Sequence, residues 1–388
     1  MIYVHVPFCR SFCTYCGFYS EAAPKCRRAE HSLRQESLFE DYTTALEAEI
    51  RTRQDEMERV FASSDVNTLY IGGGTPSVLH LRFFERLMKA LGRTGFREFT
   101  VEVNPEDIVE KGSEYVEGLL ALGVNRISMG VQSFDDSVLK WMNRRHTSSQ
   151  AVEAYRILED TGVKNISIDL IFGLPQLTDE LWHDTLDKAL NISSYGVPPA
   201  HISAYQLSVE EDSMLEKMIA RGMCREASEE DCQRQYSVLC EVLAAAGYRH
   251  YEISNFARPG YEAVHNSAYW RHVPYIGFGP GAHSYMDGAS RRWNKNDLNG
   301  YIAAGKTGDF KSVLDGEVLG AEQITMERMM LGLRTSAGVP ESFLREHCSQ
   351  KVLDEAVGAG NLVAACGGNL RIPEEKFFIS DNIISSLI

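Results

Sequence analysis

The sequence predicts an α/β fold: an incomplete TIM-like (β/α)6 barrel, followed by a small, mainly helical domain of winged-helix type. Three observations support this prediction. Short apolar segments alternate with helical periodicity in the first half of the chain, which is typical of parallel strands joined by right-handed crossovers. Polar residues stand near the ends of these segments, where barrels collect their functional groups. After about residue 318 the order becomes helix, turn, helix, hairpin and helix.

The elements follow from the hydrophobic pattern. The predicted strands are residues 2–6, 67–71, 99–103, 126–129, 165–171 and 201–205. Helical periodicity lies between them, at residues 41–59, 81–91, 114–122 and 179–190. We therefore predict a barrel over residues 1–225, a linking or ligand-binding segment over 226–317, and the winged-helix-like domain over 318–388. Residues 255–293 are aromatic and glycine-rich, and we expect them to be irregular.

Composition limits the classes of function. The chain has 388 residues and a net charge of −15, so non-specific binding of nucleic acid is not expected. Its basic residues form no run beyond a short patch at Lys25, Arg27 and Arg28. There is no apolar stretch of the ~20 residues that a membrane span needs, and we expect no targeting segment. The chain is therefore predicted to be cytoplasmic.

Three cysteines carry the strongest chemical signal. Cys9, Cys13 and Cys16 have the spacing C-x3-C-x2-C directly after the first strand. Three thiolates are one short of a closed four-ligand site, so a cubane iron–sulfur cluster held by them would leave one iron open to a ligand. A zinc site completed by His5 and a disulfide with one spare thiol are the alternatives. Cys26, Cys224, Cys232, Cys240, Cys348 and Cys366 are scattered and are interpreted as reduced packing residues.

A glycine loop ends the second strand. Gly72, Gly73 and Gly74 precede Thr75 and Pro76. Consecutive glycines let a backbone approach a ligand closely, and their polar groups suit the carboxylate and ammonium of a zwitterion. The loop lacks the Lys-Ser/Thr ending of a phosphate-binding loop. A plain tight turn is the alternative interpretation.

These features form a resemblance to a known family. The stretches YVHVPFCRSFCTYCGF, YIGGGTPS, VEVNPE, NRISMGVQSFDD, NRRHT and SIDLIFGLPQ occur in this order between residues 3 and 176. The motif GLRT at residues 332–335 extends the match to the last domain. The chain thus resembles the radical S-adenosylmethionine superfamily, and in it the branch of oxygen-independent coproporphyrinogen III dehydrogenase and its HemW-type heme chaperone relatives.

The resemblance implies a set of site residues and cofactors. A 4Fe–4S cluster would be held by Cys9, Cys13 and Cys16, and its open iron would bind S-adenosylmethionine. The residues implied to flank the cluster and the cofactor are Tyr3, Tyr15, Gly73, Gly74, Thr75, Glu102, Gln132, Arg144 and Asp169. Arg144 as a surface charge and Tyr15 as a packing residue are the alternatives. Asp169 interrupts an apolar strand, and a buried carboxyl there needs a partner.

Two departures from the dehydrogenase favour the heme chaperone subgroup. Phe18 stands where the dehydrogenase has a fourth cysteine, and only eight residues precede Cys9. The motif H-N-x-x-Y-W at residues 265–270 is similar to one associated with heme binding in that subgroup. It makes His265 the expected axial ligand, with Tyr269 and Trp270 against the porphyrin. The rival ligands are His250, His272 and His283.

The function implied by the resemblance is that of a heme chaperone. Heme would be delivered to apo-hemoproteins, at a respiratory membrane to which the protein is peripheral, and a homodimer is expected by resemblance alone. Two enzyme classes stay as alternatives. One is oxidative decarboxylation of coproporphyrinogen III to protoporphyrinogen IX, and the other is radical-dependent breakdown or methylation of heme.

Overall fold

The computed structural model describes residues 1–22 and 29–388. The basic patch at Lys25, Arg27 and Arg28, and Cys26 with it, lie outside the described residues. In chain order the strands are β1 (Ile2–Val6), β2 (Phe8–Cys9), β3 (Glu21–Ala22), β4 (Thr68–Gly73), β5 (Glu98–Val103), β6 (Arg126–Gln132), β7 (Ile166–Phe172), β8 (His201–Gln206), β9 (Arg249–Glu252), β10 (Asn255–Ala257), β11 (Ile276–Phe278), β12 (His283–Met286), β13 (Ser290–Asn294), β14 (Leu314–Val318), β15 (Val339–Pro340), β16 (Val363–Ala365) and β17 (Asn369–Arg371).

Helices connect these strands, and several of them cover the outside of the main sheet. They are α1 (Ala29–Thr52), α2 (Gln54–Ala62), α3 (Leu81–Leu91), α4 (Pro105–Ala121), α5 (Asp136–Trp141), α6 (Ser148–Asp160), α7 (Asp179–Leu190), α8 (Met214–Ala220), α9 (Glu229–Ala245), α10 (Val264–Trp270), α11 (Leu298–Thr307), α12 (Ala321–Leu333), α13 (Glu341–His347), α14 (Gln350–Gly358) and α15 (Ser380–Leu387). In the described part of the chain, none of these helices is both long enough and apolar enough to cross a membrane.

The main sheet has the strand order β11-β1-β4-β5-β6-β7-β8-β10-β9. Its strands are parallel from β11 to β8, and β10 and β9 then add in antiparallel fashion. Thr14, in the loop after β1, accepts a hydrogen bond at 2.7 Å from the N–H of Leu215, which follows β8. β1 and β8 are five positions apart in the sheet, about 24 Å if it were flat, so this contact indicates a curled sheet. The fold is the predicted incomplete barrel, open between β11 and the opposite edge.

Residue alternation along the strands builds two different faces. Ile2, Val4 and Val6 on β1 are fully buried against the outer helices, and equivalent residues on the next strands continue this core. The residues between them are polar and face the inside of the barrel. Parallel strands that are covered on both faces usually have continuous apolar sequences. The alternation here therefore marks a polar inner wall.

The six predicted strands are confirmed, with bounds that differ by one to three residues at most ends. The prediction for residues 255–293 was wrong, because this segment contains β10, α10, β11, β12 and β13. β11 even joins the main sheet beside β1. Its three residues are too few to produce a readable period, and the long-range pairing that makes it a strand is invisible in the local sequence.

The C-terminal part has the predicted winged-helix-like order. Helices α12 to α15 surround a small sheet of order β15-β17-β16, and they share a core that includes Leu333, Leu344 and Leu353. The turn after α12 bridges to the edge of the main sheet, where Ile253 N–H donates to the Arg334 carbonyl at 3.1 Å. The division of the chain at residues 225 and 317 stays a prediction.

Candidate functional site

The cysteine loop lies at the carboxyl ends of the parallel strands. It follows β1 and is held by backbone bonds: Thr14 N–H donates to Met142 O at 3.0 Å, and Leu215 N–H donates to Thr14 O at 2.7 Å. The loop is thus tied both to the end of α5 and to the start of α8. Segments that are distant in sequence fix its position over the mouth of the barrel, where such folds carry their chemistry.

Two of the three thiols have a polar side chain from another segment beside them. Cys9 Sγ lies 3.5 Å from Thr75 Oγ1, and Arg144 Nη1 lies 3.5 Å from Cys13 Sγ. Burial raises the pKa of Cys16 to about 11, and the neighbouring Cys13 and Cys9 add to the shift. Burial also raises the pKa of Cys9. Cys9 and Cys16 therefore favour the protonated form at neutral pH, and binding of metal has to displace these protons.

The donor set fits an iron–sulfur cluster better than a single metal ion. Within residues 1–22 and 29–388, no three His, Cys, Asp or Glu side chains are arranged around one metal position. This is the geometry that a zinc site would need. In a 4Fe–4S cluster each thiolate binds a different iron, so the thiols need to share a loop rather than converge on a point. His5, the predicted fourth zinc ligand, is bonded instead to Tyr3 and to the Tyr19 carbonyl.

The glycine loop packs tightly beside the thiols. Gly73 has φ +108°, and a Cβ placed there would lie 2.7 Å from the His5 ring. Its N–H donates to Glu102 Oε2 at 3.1 Å, while Gly74 N–H donates to Val6 O at 2.8 Å. The positive φ and the close contact both require glycine at position 73. The backbone here is fixed before any ligand arrives.

Glu102 occupies the centre of the inner wall. It accepts hydrogen bonds from Tyr70 Oη at 2.6 Å and from the Gly73 backbone. Burial raises its pKa to about 7, and the Tyr70 hydrogen bond only partly opposes that shift; the Asp169 charge raises it further. A carboxylate held in this way suits the hydroxyl groups of a ribose, and its protonation state changes near neutral pH.

Gln132 and Arg144 meet at the end of β6. Arg144 Nη2 donates to Asn104 Oδ1 and to the Gly130 carbonyl, both at 2.7 Å. A Cβ at Gly130 would lie 2.9 Å from Gln132 Nε2 and 3.2 Å from Arg144 Nη2, so all these groups surround one point. Gln132 has φ +67°, which is costly for a residue with a Cβ. Strain of this kind collects at ligand sites.

Arg144 is not the surface charge of the alternative interpretation. Burial opposes its charge, but Tyr15, Cys13 and Glu106 outweigh burial, so its pKa remains above the ordinary value. Tyr15 belongs to the same group: burial raises its pKa, and the positive charge of Arg144 and the two thiols Cys13 and Cys16 act on it. The guanidinium thus links the cysteine loop to the ends of β5 and β6.

Asp169 lies deeper on the inner wall. Ser128 Oγ donates to its two carboxyl oxygens at 3.3 and 3.4 Å. Burial raises the pKa of Asp169, although Ser203 and Arg126 favour its charged form. Ser128 is thus a partner of the kind that the sequence predicted for a carboxyl in an apolar strand. Tyr3 stands on the opposite side, where its hydroxyl bonds to His5 Nδ1 at 2.9 Å and its ring lies 6.2 Å from Tyr70.

The structure therefore brings the predicted cluster and cofactor residues together at one mouth of the barrel. The sequence prediction had missed Tyr70, Ser128, Ser203 and the role of Asn104 as a partner of Arg144. Each of the first three alternates with buried apolar residues on its strand. Period-two alternation in strands that are otherwise apolar is the signal that would have found them.

His265 lies at the other end of the barrel. It is on α10, which closes the amino ends of the strands: Glu98 at the start of β5 accepts the N–H groups of Val264 and His265 at 2.7 and 2.9 Å. The ring is 1 % exposed. Its Nδ1 is bonded to Thr68 Oγ1 at 2.8 Å and its Nε2 to Tyr269 Oη at 3.0 Å. An iron ligated here would have to displace one of these bonds.

The other histidines named as ligands differ in access. His250 is packed on Phe256 at 4.1 Å and bonds to Tyr236 Oη. His272 bonds to Tyr285 Oη at 3.2 Å, and its Nε2 lies 3.9 Å from Glu327. His283, in contrast, is exposed. Trp270, at the end of α10, is partly buried.

Comparisons with known proteins agree with this geometry. A model of the Radical SAM superfamily matches residues 3–189. The chain has the same fold as the structure described as "Coproporphyrinogen III oxidase (HemN) from Escherichia coli is a Radical SAM enzyme", with a TM-score of 0.75 and 23% identity over 100% of this chain and 89% of that one. The three-cysteine loop over an incomplete barrel is thus that of a radical SAM protein.

Curated relatives show which family of this superfamily the chain belongs to. "Heme chaperone HemW" of Lactococcus lactis is 35% identical over 87% of this chain and 82% of its own length. "Heme chaperone HemW" of Bacillus subtilis is 33% identical over 89% of this chain and 86% of its own length. The chain belongs to the HemW family.

Proposed function

We propose that this protein is a heme chaperone: it binds heme and delivers it to apo-hemoproteins, and it carries a 4Fe–4S cluster and S-adenosylmethionine at the mouth of its barrel. The observation that carries the proposal is the identity of 35% with a relative named heme chaperone, over 87% of this chain.

The cysteine end supports binding of the cluster. Cys9, Cys13 and Cys16 would hold three irons, with Arg144 beside Cys13 to balance the negative charge. When bound, such a cluster supplies one-electron chemistry to a ligand on its open iron. Tyr15 lies next to the thiols and would shield one side of the cluster from water.

The inner wall supports binding of S-adenosylmethionine. Gly73, Gly74 and Thr75 would lie along its methionine end, because they border the thiols. Glu102 and Asp169 offer carboxyl oxygens to ribose hydroxyls, and Gln132 with Arg144 offers N–H donors. Tyr3 would close the inner side of this cavity.

The same loop argues against the dehydrogenase activity. Phe18 occupies the position of that enzyme's additional cysteine, and its side chain is 73% exposed. A phenyl ring there cannot act as a thiol. The structural likeness to the coproporphyrinogen oxidase, at 23% identity, concerns the fold and not the reaction. Recipients of heme at a membrane, a cytoplasmic location and a homodimer remain parts of the proposal that rest on the family resemblance.

The test uses protein reconstituted anaerobically with iron and sulfide. Hemin is titrated while the Soret band is followed, and the complex is then mixed with apomyoglobin as a generic acceptor. The expected result is one heme bound per chain and its transfer to the acceptor. A second sample receives coproporphyrinogen III, S-adenosylmethionine and a reductant.

The outcomes separate the classes. Heme binding and transfer without protoporphyrinogen support the chaperone. Catalytic formation of protoporphyrinogen, or the absence of hemin binding, would overturn it. A Cys13→Ala variant is the matched control in both samples, because it tests whether hemin binding needs the cluster.

A further inference from the structure

A short hairpin next to the glycine loop carries an imidazole that the proposed cofactor site does not use. His283 begins β12, which pairs in antiparallel fashion with β13 and places His283 directly opposite Trp293. The two rings are stacked, with centroids 5.6 Å apart and planes at 22°. His283 is exposed, whereas Trp293 is partly buried.

Glycines before the hairpin bring it against the cysteine side of the barrel. Gly279 has φ +96°, and a Cβ there would lie 2.5 Å from the His5 carbonyl oxygen. Gly281 has φ +81°, and its Cβ would lie 3.4 Å from Tyr19. Tyr19 directly follows the cysteine loop. The close approach that only glycine permits therefore sets His283 near that loop.

The direction of the imidazole follows from the alternation along β12. Ser284, the next residue, faces the helical layer, where its Oγ accepts from Arg53 Nη2 at 3.1 Å. Neighbouring residues of a strand point to opposite faces, so His283 points away from that layer. The charge of His283 contributes to lowering the pKa of His5, although burial is the main cause. His5 in turn lies against Gly73.

His283 also has unused bonding capacity. Among the described residues, its side chain has the ring contact with Trp293 and neither a hydrogen bond nor an ion pair. The exposed histidines elsewhere in the described part are His80, His183 and His347, and they lie on α3's amino end, on α7 and on α13. Of these four, His283 alone borders the barrel opening.

A cation stands on the same hairpin. Lys295 follows β13 directly, is exposed, and its Nζ lies 3.2 Å from the Ser312 carbonyl oxygen. Within residues 1–22 and 29–388, no ion pair ties it to a carboxylate. An anionic group of a ligand held at His283 would find this ammonium available.

We propose that His283 is the protein ligand of the heme iron, with Trp293 orienting its ring and Lys295 available to a propionate. This assignment rests on the proposed heme binding. An imidazole with an open nitrogen is a strong axial ligand, and the stacked indole restricts its rotation. Heme on His283 would lie at the barrel opening beside the cofactor site, whereas heme on His265 would lie at the opposite end.

The experiment compares hemin binding by the reconstituted wild-type protein and four variants. These are His283→Ala, His283→Cys, His265→Ala and His183→Ala. We expect His283→Ala to weaken hemin binding about tenfold or more, as loss of an anchoring contact does. Added imidazole should restore the wild-type ferric spectrum of that variant, and His283→Cys should shift the Soret band to that of thiolate ligation.

The remaining variants decide between the alternatives. His183→Ala changes an exposed ring on α7 and should bind hemin as the wild type does. Normal affinity and spectrum in both His283 variants, with loss of binding in folded His265→Ala, would overturn the assignment. A wild-type protein that binds no hemin would instead overturn the proposed function itself. Iron and sulfide content and circular dichroism show that each variant is folded.

Discussion

The two ends of the barrel use polar residues in opposite ways. At the amino ends of the strands, His265 is buried and both ring nitrogens are bonded within the protein, while Glu98 accepts the first N–H groups of α10. At the carboxyl ends, thiols, a strained glutamine and an exposed imidazole surround the opening. The first arrangement closes the barrel, and the second leaves bonding capacity for ligands.

A polar motif has to be judged by the partners of its side chains. The motif at residues 265–270 is similar to one associated with heme binding, and both ring nitrogens of its histidine are bonded within the protein. His283 lies outside that motif, and among the described residues its ring nitrogens have no hydrogen-bond partner. A buried polar group with all of its partners stabilises a fold, whereas a ligand must meet groups whose partners are missing.

The largest expected effect is loss of the cluster from the carboxyl end. Cys16→Ala should reduce bound iron and sulfide close to zero after anaerobic reconstitution, because two thiolates cannot replace three. Chemical iron and sulfide assays measure it. The matched control is Cys366→Ala, an exposed thiol of the C-terminal module, which should retain the cluster. Equal cluster content in both variants would break the assignment of the loop.

The next effect is a difference in the free energy of unfolding between variants of His265 and His283. His265→Ala should lower the free energy of unfolding by about 2–4 kcal/mol, because it leaves a cavity and removes the partners of Thr68 and Tyr269. Urea denaturation of the cluster-free protein measures this. His283→Ala should change the same quantity by less than about 0.5 kcal/mol, as for an exposed residue. If the two variants lost equal stability, the contrast between the two ends would be wrong.

The smallest effect is a pH dependence at Glu102. Its folded pKa of about 7 lies above the ordinary value of 4.5, so between these pH values the folded state holds a proton that the unfolded state releases. The free energy of unfolding therefore falls as pH rises through this window. Gln does not titrate, so the stability of Glu102→Gln relative to wild type should increase from pH 5 to pH 7.5 by about 2 kcal/mol.

A matched variant controls for general effects of pH. Glu117→Gln changes an exposed carboxyl on α4 and should keep a constant difference from wild type across the same range. Urea denaturation at both pH values provides the measurement. A constant difference for Glu102→Gln as well would show that Glu102 is solvated in the folded protein.

Much of the cofactor end could be predicted because its signals are local. Cysteine spacing, the glycine run and a carboxyl at a strand end are each contained in a few residues. Their convergence then follows from the parallel topology, since all carboxyl ends meet at one mouth. The strained Gln132 needed the structure, because it lies at a register shift between β6 and β7, which is a pairing irregularity. The link from Arg144 to Asn104 needed it because the two residues are 40 positions apart in the chain.

The strand and helix pattern, the three thiols and the family resemblance can be read from the chain alone, because periodicity and motif spacing are properties of neighbouring residues. Only the folded protein shows that both ring nitrogens of His265 are hydrogen-bonded, whereas His283 has a ring contact alone among the described residues. Thr68 and Glu98 reach His265 only through folding, across 197 and 167 positions of the chain. Whether a side chain has partners depends on such distant contacts, and no local pattern records them.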